Sequence, residues 1–169
     1  KYKAASGYVV YRGVNGKAYT IAGVVQNPDT TSFVDVTAKN VGVKYTYKIR
    51  TYKTFGDVTY NSAFGGEKTG SYVPAVKLKK FTSASAGTAK VTYNKVAKAT
   101  GYQIQYADNA SFKSAKTANV NGGSVTSKTI KRLTKGKRYY VRVRSFKKID
   151  GKVYYSAWSG KKSVVIKKR

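Results

Sequence analysis

The chain repeats itself at a constant offset of 94 residues. Ala5-Ser6-Gly7-Tyr8 matches Ala99-Thr100-Gly101-Tyr102, Gly42 matches Gly136, and Tyr45 matches Tyr139. Ile49-Arg50-Thr51-Tyr52-Lys53 matches Val143-Arg144-Ser145-Phe146-Lys147, and Ser62-Ala63-Phe64 matches Ser156-Ala157-Trp158. One register held over five stretches means two copies of one supersecondary design, and whatever the second copy folds into the first must follow.

The second copy reads as all-β. Thr, Val, Ile and Tyr alternate with polar residues over short runs, which puts successive side chains on opposite faces of a strand. The alternation predicts strands over 77–83, 88–95, 101–107, 114–120, 126–132, 138–147 and 153–166, the last bent or broken. Turn-forming clusters separate them: Ser85-Ala86-Gly87, Asp108-Asn109, Asn121-Gly122-Gly123, Lys135-Gly136-Lys137 and Asp150-Gly151. Short strands with turns this frequent predict a β-sandwich. Subtracting the offset from 77–94 gives positions before Lys1, so the first copy lacks its first two strands in this chain. The expected division is a partial domain over 1–75 and a complete one over 76–169, with the boundary near Tyr72–Val76, where Pro74 cannot donate a ladder hydrogen bond.

Leu133-Thr-Lys-Gly136-Lys-Arg-Tyr139-Tyr-Val141-Arg-Val143-Arg resembles the end of strand E, the EF turn and strand F of a fibronectin type III domain. Ala99-Thr-Gly101-Tyr102-Gln-Ile104-Gln-Tyr106 resembles its strand C. The resemblance implies two tandem fibronectin type III-like (immunoglobulin-like) β-sandwiches, the first holding strands C to G without A and B. It implies structural roles for Tyr139 and Tyr45 as corner tyrosines with bonded hydroxyls, for Tyr93 at the strand B position usually held by a buried Trp, and for Tyr102 in strand C. The first copy departs from the pattern at Lys39, where the second has Leu133. The resemblance extends to Lys- and Tyr-rich modules of Gram-positive bacterial surface and secreted proteins, and it implies an extracellular spacer or adhesion role while naming neither ligand nor catalytic site.

Composition closes off most chemistry. The 169 residues contain no His, Cys or Met. There is thus no imidazole base, no thiolate and no zinc site of the usual nitrogen and sulfur kind. The six acids, Asp29, Asp35, Asp57, Glu67, Asp108 and Asp150, are scattered, and no two lie closer than six positions. Paired catalytic carboxylates or a calcium loop would want acids at short spacing. No enzyme activity, cofactor or metal is expected. No apolar run approaches the roughly 20 residues of a membrane span. No helix-turn-helix, zinc finger or RNA-recognition motif points to sequence-specific nucleic-acid reading.

The formal net charge is +28, and it is lopsided. Residues 1–75 carry ten Lys and Arg against four acids, while residues 76–169 carry 24 against two. A field of this size predicts weak, salt-dependent attraction to a polyanion such as an anionic cell-wall polymer or an acidic glycan. The same lysines also serve solubility and edge protection. They cluster at Lys77-Leu-Lys79-Lys80, Lys131-Arg132, Lys135-Gly-Lys137-Arg138, Lys147-Lys148, Lys161-Lys162 and Lys167-Lys168-Arg169.

The sharpest candidate site is aromatic and cationic. Tyr155-Ser-Ala-Trp158-Ser is similar to the Trp-Ser-x-Trp-Ser element of cytokine-receptor fibronectin domains. Period-2 alternation puts Tyr140, Arg142, Arg144 and Phe146 on the outer face of strand F, where Trp158 can lie across the two guanidinium groups. Such a stack stiffens the sheet or offers an anion-binding platform. Arg142, Arg144, Trp158, Lys135, Lys137, Arg138, Lys147 and Lys148 are the candidate partner-binding residues. In the first copy Lys48 and Phe64-Gly65 replace Arg142 and Trp158-Ser159, which predicts a weaker stack.

The leading functional expectation is a non-catalytic spacer and attachment module. Two alternatives differ in class: a subunit of a surface filament or layer that exchanges strands with neighbouring copies, and an accessory region of a cell-wall hydrolase. The first residue, Lys1, suggests a fragment or a processed piece, and the position of the missing strands is expected to be filled by further chain or by a neighbour's strand.

Overall fold

A computed structural model describes residues 4–169, and it divides them into two units, one ending at Tyr72 and the other running from Val73. Thirteen strands and no helix lie among the described residues. The first unit holds β1 (Gly7–Val14), β2 (Thr20–Val25), β3 (Tyr45–Phe55), β4 (Val58–Asn61) and β5 (Lys68–Gly70). The second holds β6 (Leu78–Thr82), β7 (Ala89–Tyr93), β8 (Gly101–Ala107), β9 (Lys116–Asn121), β10 (Ser127–Ile130), β11 (Arg138–Ile149), β12 (Lys152–Tyr155) and β13 (Lys162–Val165).

The second unit is a two-sheet sandwich. One sheet has the order β10-β7-β6, the other β12-β11-β8-β9 with β13 also on β11, and every pairing is antiparallel. Alternate residues of each sheet point inward, as the pleat requires. Val91 and Tyr93 thus meet Tyr102, Ile104, Val141 and Val143 in one core, which Leu78 and Phe81, three positions apart, join through a register shift between Leu78 and Lys80. Each such side chain contributes roughly 1.5–3 kcal/mol on burial. Tyr93 and Tyr102 pack with ring centroids 4.6 Å apart. The Tyr102 hydroxyl accepts the Val96 N–H at 2.9 Å and donates to the Gly123 carbonyl at 2.9 Å. The Tyr93 hydroxyl is buried with no partner among the described residues, and burial pushes its pKa up.

The run 101–107 is reproduced to the residue, the runs 77–83, 88–95, 114–120 and 126–132 shift by one or two residues at their ends, and the last two runs depart in ways that have a local cause. β11 runs on to Ile149 because Asp150 and Gly151, both at positive φ, close a tight hairpin into β12. The run expected over 153–166 splits into β12 and β13. The break has a local cause. Ser145 N–H donates to Ser156 Oγ at 3.1 Å and Val143 N–H to Ser159 Oγ at 3.0 Å. In return Ser156 N–H donates to the Ser145 carbonyl and Ser159 N–H to the Val143 carbonyl. The serine hydroxyls replace main-chain acceptors, so the segment bulges out of the ladder while β11 stays satisfied.

The first unit is a single five-stranded sheet of order β2-β1-β3-β4, with β5 also on β3. It is the counterpart of the second unit's β12-β11-β8-β9 sheet. The strand E expected within 1–75 is not formed: residues 33–36, the counterpart of β10, join no strand ladder among the described residues. In the second unit β10 pairs only with β7, and β7 has no counterpart among the described residues. Val34 and Val36 are accordingly 78% and 65% exposed. Ile49 is 45% exposed, whereas its repeat mate Val143 is fully buried.

The segment between β2 and β3 still covers part of the inner face. Phe33 lies on Gly23, where an added Cβ would sit 2.5 Å from the ring. Tyr8 donates its hydroxyl to the Pro28 carbonyl at 3.0 Å. Arg12 and Tyr47 both reach Asp35, at 2.7 and 2.9 Å. Between these contacts remains an apolar cleft of about 490 Å³ beside Val10, Tyr45 and Ile49.

Candidate functional site

The outer face of β11 carries a stack of alternating rings and guanidinium groups. The bulge at Ser156–Ser159 throws Trp158 back over the sheet, where its ring lies 4.8 Å from Arg142 and 4.4 Å from Arg144. Phe112 closes the far side of Arg142 at 4.3 Å, and Tyr155 closes the far side of Arg144 at 3.9 Å. Phe146 extends the row, its ring centroid 6.0 Å from that of Tyr155. The edges of the cations are fixed by neighbouring β8. Arg142 Nε donates to Gln105 Oε1 at 2.7 Å, and Arg144 donates to Gln103 Oε1 through Nε at 2.9 Å and Nη2 at 2.6 Å. Burial lowers the Arg144 pKa, and Arg142 beside it acts in the same direction. An arginine stays charged through a shift of this kind.

Each guanidinium therefore has two rings within 4.8 Å and a glutamine oxygen on its Nε. The stack chiefly rigidifies the sheet, with cation–π contacts of about 0.5–1 kcal/mol each at exposed sites.

The first unit builds the same device from different residues. Lys48 Nζ sits 4.1 Å from the rings of both Tyr19 and Phe64. Arg50 lies 5.1 Å from Tyr11 and 5.3 Å from Phe64. Tyr11 and Phe64 meet edge to face at 5.0 Å. Ser62 repeats the role of Ser156 by accepting the Thr51 N–H at 3.0 Å, while Gly65 has no hydroxyl to repeat that of Ser159.

The remaining candidate cations do not join this stack. Lys135, Lys137 and Arg138 lie at the turn that enters β11, and Lys147 and Lys148 near its exit. Lys147 lies nine positions along the strand from Arg138, about 30 Å at the usual rise. Lys137 pairs with Asp108 at 3.6 Å, with both side chains more than half exposed. The structure thus brings Arg142, Arg144 and Trp158 together and leaves the lysines as two separate clusters.

The corner tyrosines occupy equivalent positions. Tyr45 is buried and accepts the Asn40 N–H at 3.2 Å. Tyr139 is half-buried, accepts the Thr134 N–H at 3.3 Å and lies 3.4 Å from Thr134 Oγ1. Lys39 in place of Leu133 leaves the first corner's geometry intact.

Sequence reasoning missed Phe112 and Tyr19 as members of the two stacks. Each sits in the connection after the strand C counterpart, outside any alternating run. The available signal was an aromatic side chain in an otherwise polar turn.

No family model matches this chain, and no curated protein does. Among solved structures it is similar to the FN1–FN3 domains of chicken CNTN1, with a TM-score of 0.50 and 18% identity over 95% of this chain and 55% of that one. It is also similar to a two-domain fibronectin type III segment of chicken tenascin, with a TM-score of 0.50 and 19% identity over 94% of this chain and 83% of that one. This chain therefore spans little more than half of the CNTN1 segment. The likeness concerns the fold. The chain has the all-β fold of tandem fibronectin type III domains, the first represented by one of its two sheets, without strands A, B or E among the described residues. No helix of the described residues is long and apolar enough to cross a membrane.

Proposed function

We propose that this chain is a non-catalytic extracellular spacer and attachment module, divided at 75/76, whose basic second domain contacts an anionic cell-wall or surface polymer. The observation that carries the reading is the charge imbalance, 24 Lys and Arg against two acids over residues 76–169. The stacked outer face supports it, since a stiff sheet keeps its cations displayed on both ends of β11. Fibronectin type III folds act widely as scaffolds and adhesion modules, and a bacterial cell surface suits the Lys- and Tyr-rich composition. The test is retention of the full chain on immobilised heparin and on teichoic acid at increasing salt. Apparent affinity should fall linearly with salt on logarithmic axes, as counterion release requires. Retention that ignores salt, or no retention at low salt, overturns the reading.

A second reading is contact between neighbouring copies. The exposure of Ile49 in β3 and of Val34 and Val36 in the connection between β2 and β3 favours it. Apolar side chains displayed beside unpaired backbone promote strand addition. Sedimentation at micromolar concentration separates the two. A monomer that persists on concentration removes the second reading and leaves the first untouched.

A further inference from the structure

The second unit contains a cleft of about 450 Å³ that lies apart from the aromatic stack. It opens between the start of β9 and the turn that follows β10. Tyr106 and Tyr139, each packed on one side against the core, line it together with the cations Lys116, Lys131 and Arg132. Ser114 adds a hydroxyl, and Asp108 stands at the rim, paired with Lys137 at 3.6 Å. The volume falls within the roughly 300–1,000 Å³ of ligand-binding clefts. Among the described residues, Lys116, Lys131 and Arg132 have no ion-pair partner. Three uncompensated cations around one concavity focus a positive field into it.

Two further observations mark the site. Ser114 and Arg132 both hold positive φ, 52° and 59°, in a conformation that residues with a side chain rarely adopt. Such conformations cost free energy and gather at binding sites, where they aim a side chain. The repeat supplies an internal control. By strand register the first-unit counterpart of Lys116 is Thr20, each facing the corresponding β8 or β1 residue, Tyr106 or Arg12. At the constant offset, Thr37 and Ala38 replace Lys131 and Arg132. On that side Arg12 is neutralised by Asp35 at 2.7 Å, and Lys39 stands where Leu133 lines the second unit's cleft. The shared fold therefore does not require the three cations, and the second unit alone carries them.

We infer that this cleft binds a pyranose bearing a carboxylate, as in an acidic polysaccharide. The inference rests on the polyanion reading above and assigns it a site and a ligand class. The aromatic walls suit the apolar face of a sugar ring. Arg132, with Lys116 and Lys131 beside it, suits the carboxylate through charge-assisted hydrogen bonds. Asp108 and Ser114 are placed at the rim to accept from ring hydroxyls. A polyanion without rings would satisfy only the cations.

The experiment uses the full chain and three probes at one ionic strength: trigalacturonate, its methyl ester, and inorganic tripolyphosphate. Trigalacturonate should bind more tightly than either of the others. Arg132→Asn combined with Lys116→Gln should weaken it by about tenfold or more, the loss of one charge-assisted hydrogen bond. Asn tolerates the left-handed backbone at position 132, so the substitution spares the fold. Lys79→Gln with Lys80→Gln removes the same charge from β6 and should change binding far less. Tyr106→Leu keeps the packing, removes the ring, and should weaken trigalacturonate while leaving tripolyphosphate alone. Thermal unfolding of each variant confirms that it folds. Equal losses from the cleft and β6 variants overturn the site, and equal affinity for tripolyphosphate and trigalacturonate overturns the sugar assignment. In both cases salt-dependent retention on heparin would persist, so failure of the cleft is distinguishable from failure of the polyanion reading.

Discussion

The hydroxyl of Tyr45 accepts the backbone N–H of Asn40 at 3.2 Å, and its repeat mate Tyr139 accepts that of Thr134 at 3.3 Å. The two bonds stand in different surroundings, because Tyr45 is 4% exposed while Tyr139 is only half-buried. The Asn40–Tyr45 bond is part-buried and the Thr134–Tyr139 bond exposed, and the cost of leaving a donor without its acceptor grows with burial, since water replaces the acceptor at an open site. Tyr45→Phe should therefore destabilise the first unit by about 1–3 kcal/mol, and Tyr139→Phe the second by about 0.5–1.5 kcal/mol. Amide exchange in β3 and β11 reads the two units separately. Equal losses would show that the hydroxyl bonds do not set the difference.

Gly101 illustrates a constraint visible in both copies. An added Cβ would lie 2.3 Å from the Val120 carbonyl oxygen and 2.7 Å from the Phe146 ring, and at Gly7 the same atom would lie 2.1 Å from the Val25 oxygen and 2.8 Å from Tyr52. Backbone cannot yield as a flexible side chain does, so Gly101→Ala must push β9 away from β8. The expected cost is about 1–3 kcal/mol, typical of overpacking, with faster exchange along β9. A variant as stable as the parent would mean that the pairing of Gly101 with Asn121 adapts freely.

Much of this was legible in the sequence because it depended on period and offset. Alternation placed β6 to β11, and the offset of 94 carried β8, β9 and β11 back onto β1, β2 and β3 of the first unit. The strand C counterpart and the corner tyrosines followed from the same register. The absent strand was not legible, because Phe33–Val36 has the composition of a strand and lacks only a partner to pair with. The stack of Arg142, Arg144 and Trp158 was readable from alternation. The closing rings of Phe112 and Tyr19 were not, since a turn residue's direction depends on backbone conformation rather than period; Phe112 itself stands at φ 58°.

The stack predicts a graded response at its centre. Trp158 is the chain's one tryptophan and touches both guanidinium groups, which Gln103 and Gln105 hold in place. Trp158→Ala should cost about 2–4 kcal/mol, combining two cation–π contacts with the ring's buried area. Trp158→Phe should cost about 1 kcal/mol, since Phe64 fills the same role between Lys48 and Arg50 in the first unit. Urea unfolding of the second unit measures both. Equal losses for Phe and Ala would mean that the stack needs the indole specifically.

The last prediction concerns pH and the ion pair that anchors the connection between β2 and β3. Burial by itself would raise the pKa of Asp35. Hydrogen bonds from Thr37, Tyr47 and Arg12 outweigh it and hold the carboxyl at about 2, against an ordinary 3.8. A carboxyl whose pKa is depressed on folding contributes stability above its unfolded value, and that contribution disappears as pH falls through the folded value. The first unit should thus lose roughly 2 kcal/mol between about pH 5 and pH 2, and Asp35→Asn should flatten that slope. Tyr47 supplies the alkaline limb. Burial, and then its hydrogen bond to Asp35, push its phenol up to about 12. A phenol raised on folding stabilises below its unfolded value and loses that contribution as pH rises through the folded one, here between about pH 10 and 12. Tyr47→Phe should flatten this limb and leave most of the acid limb standing, because Arg12 still holds Asp35 at 2.7 Å. Amide exchange across β1 and β3 at each pH measures both limbs. An acid limb unchanged by Asp35→Asn would assign the loss to general charge repulsion in a chain of net charge +28 instead of to this pair.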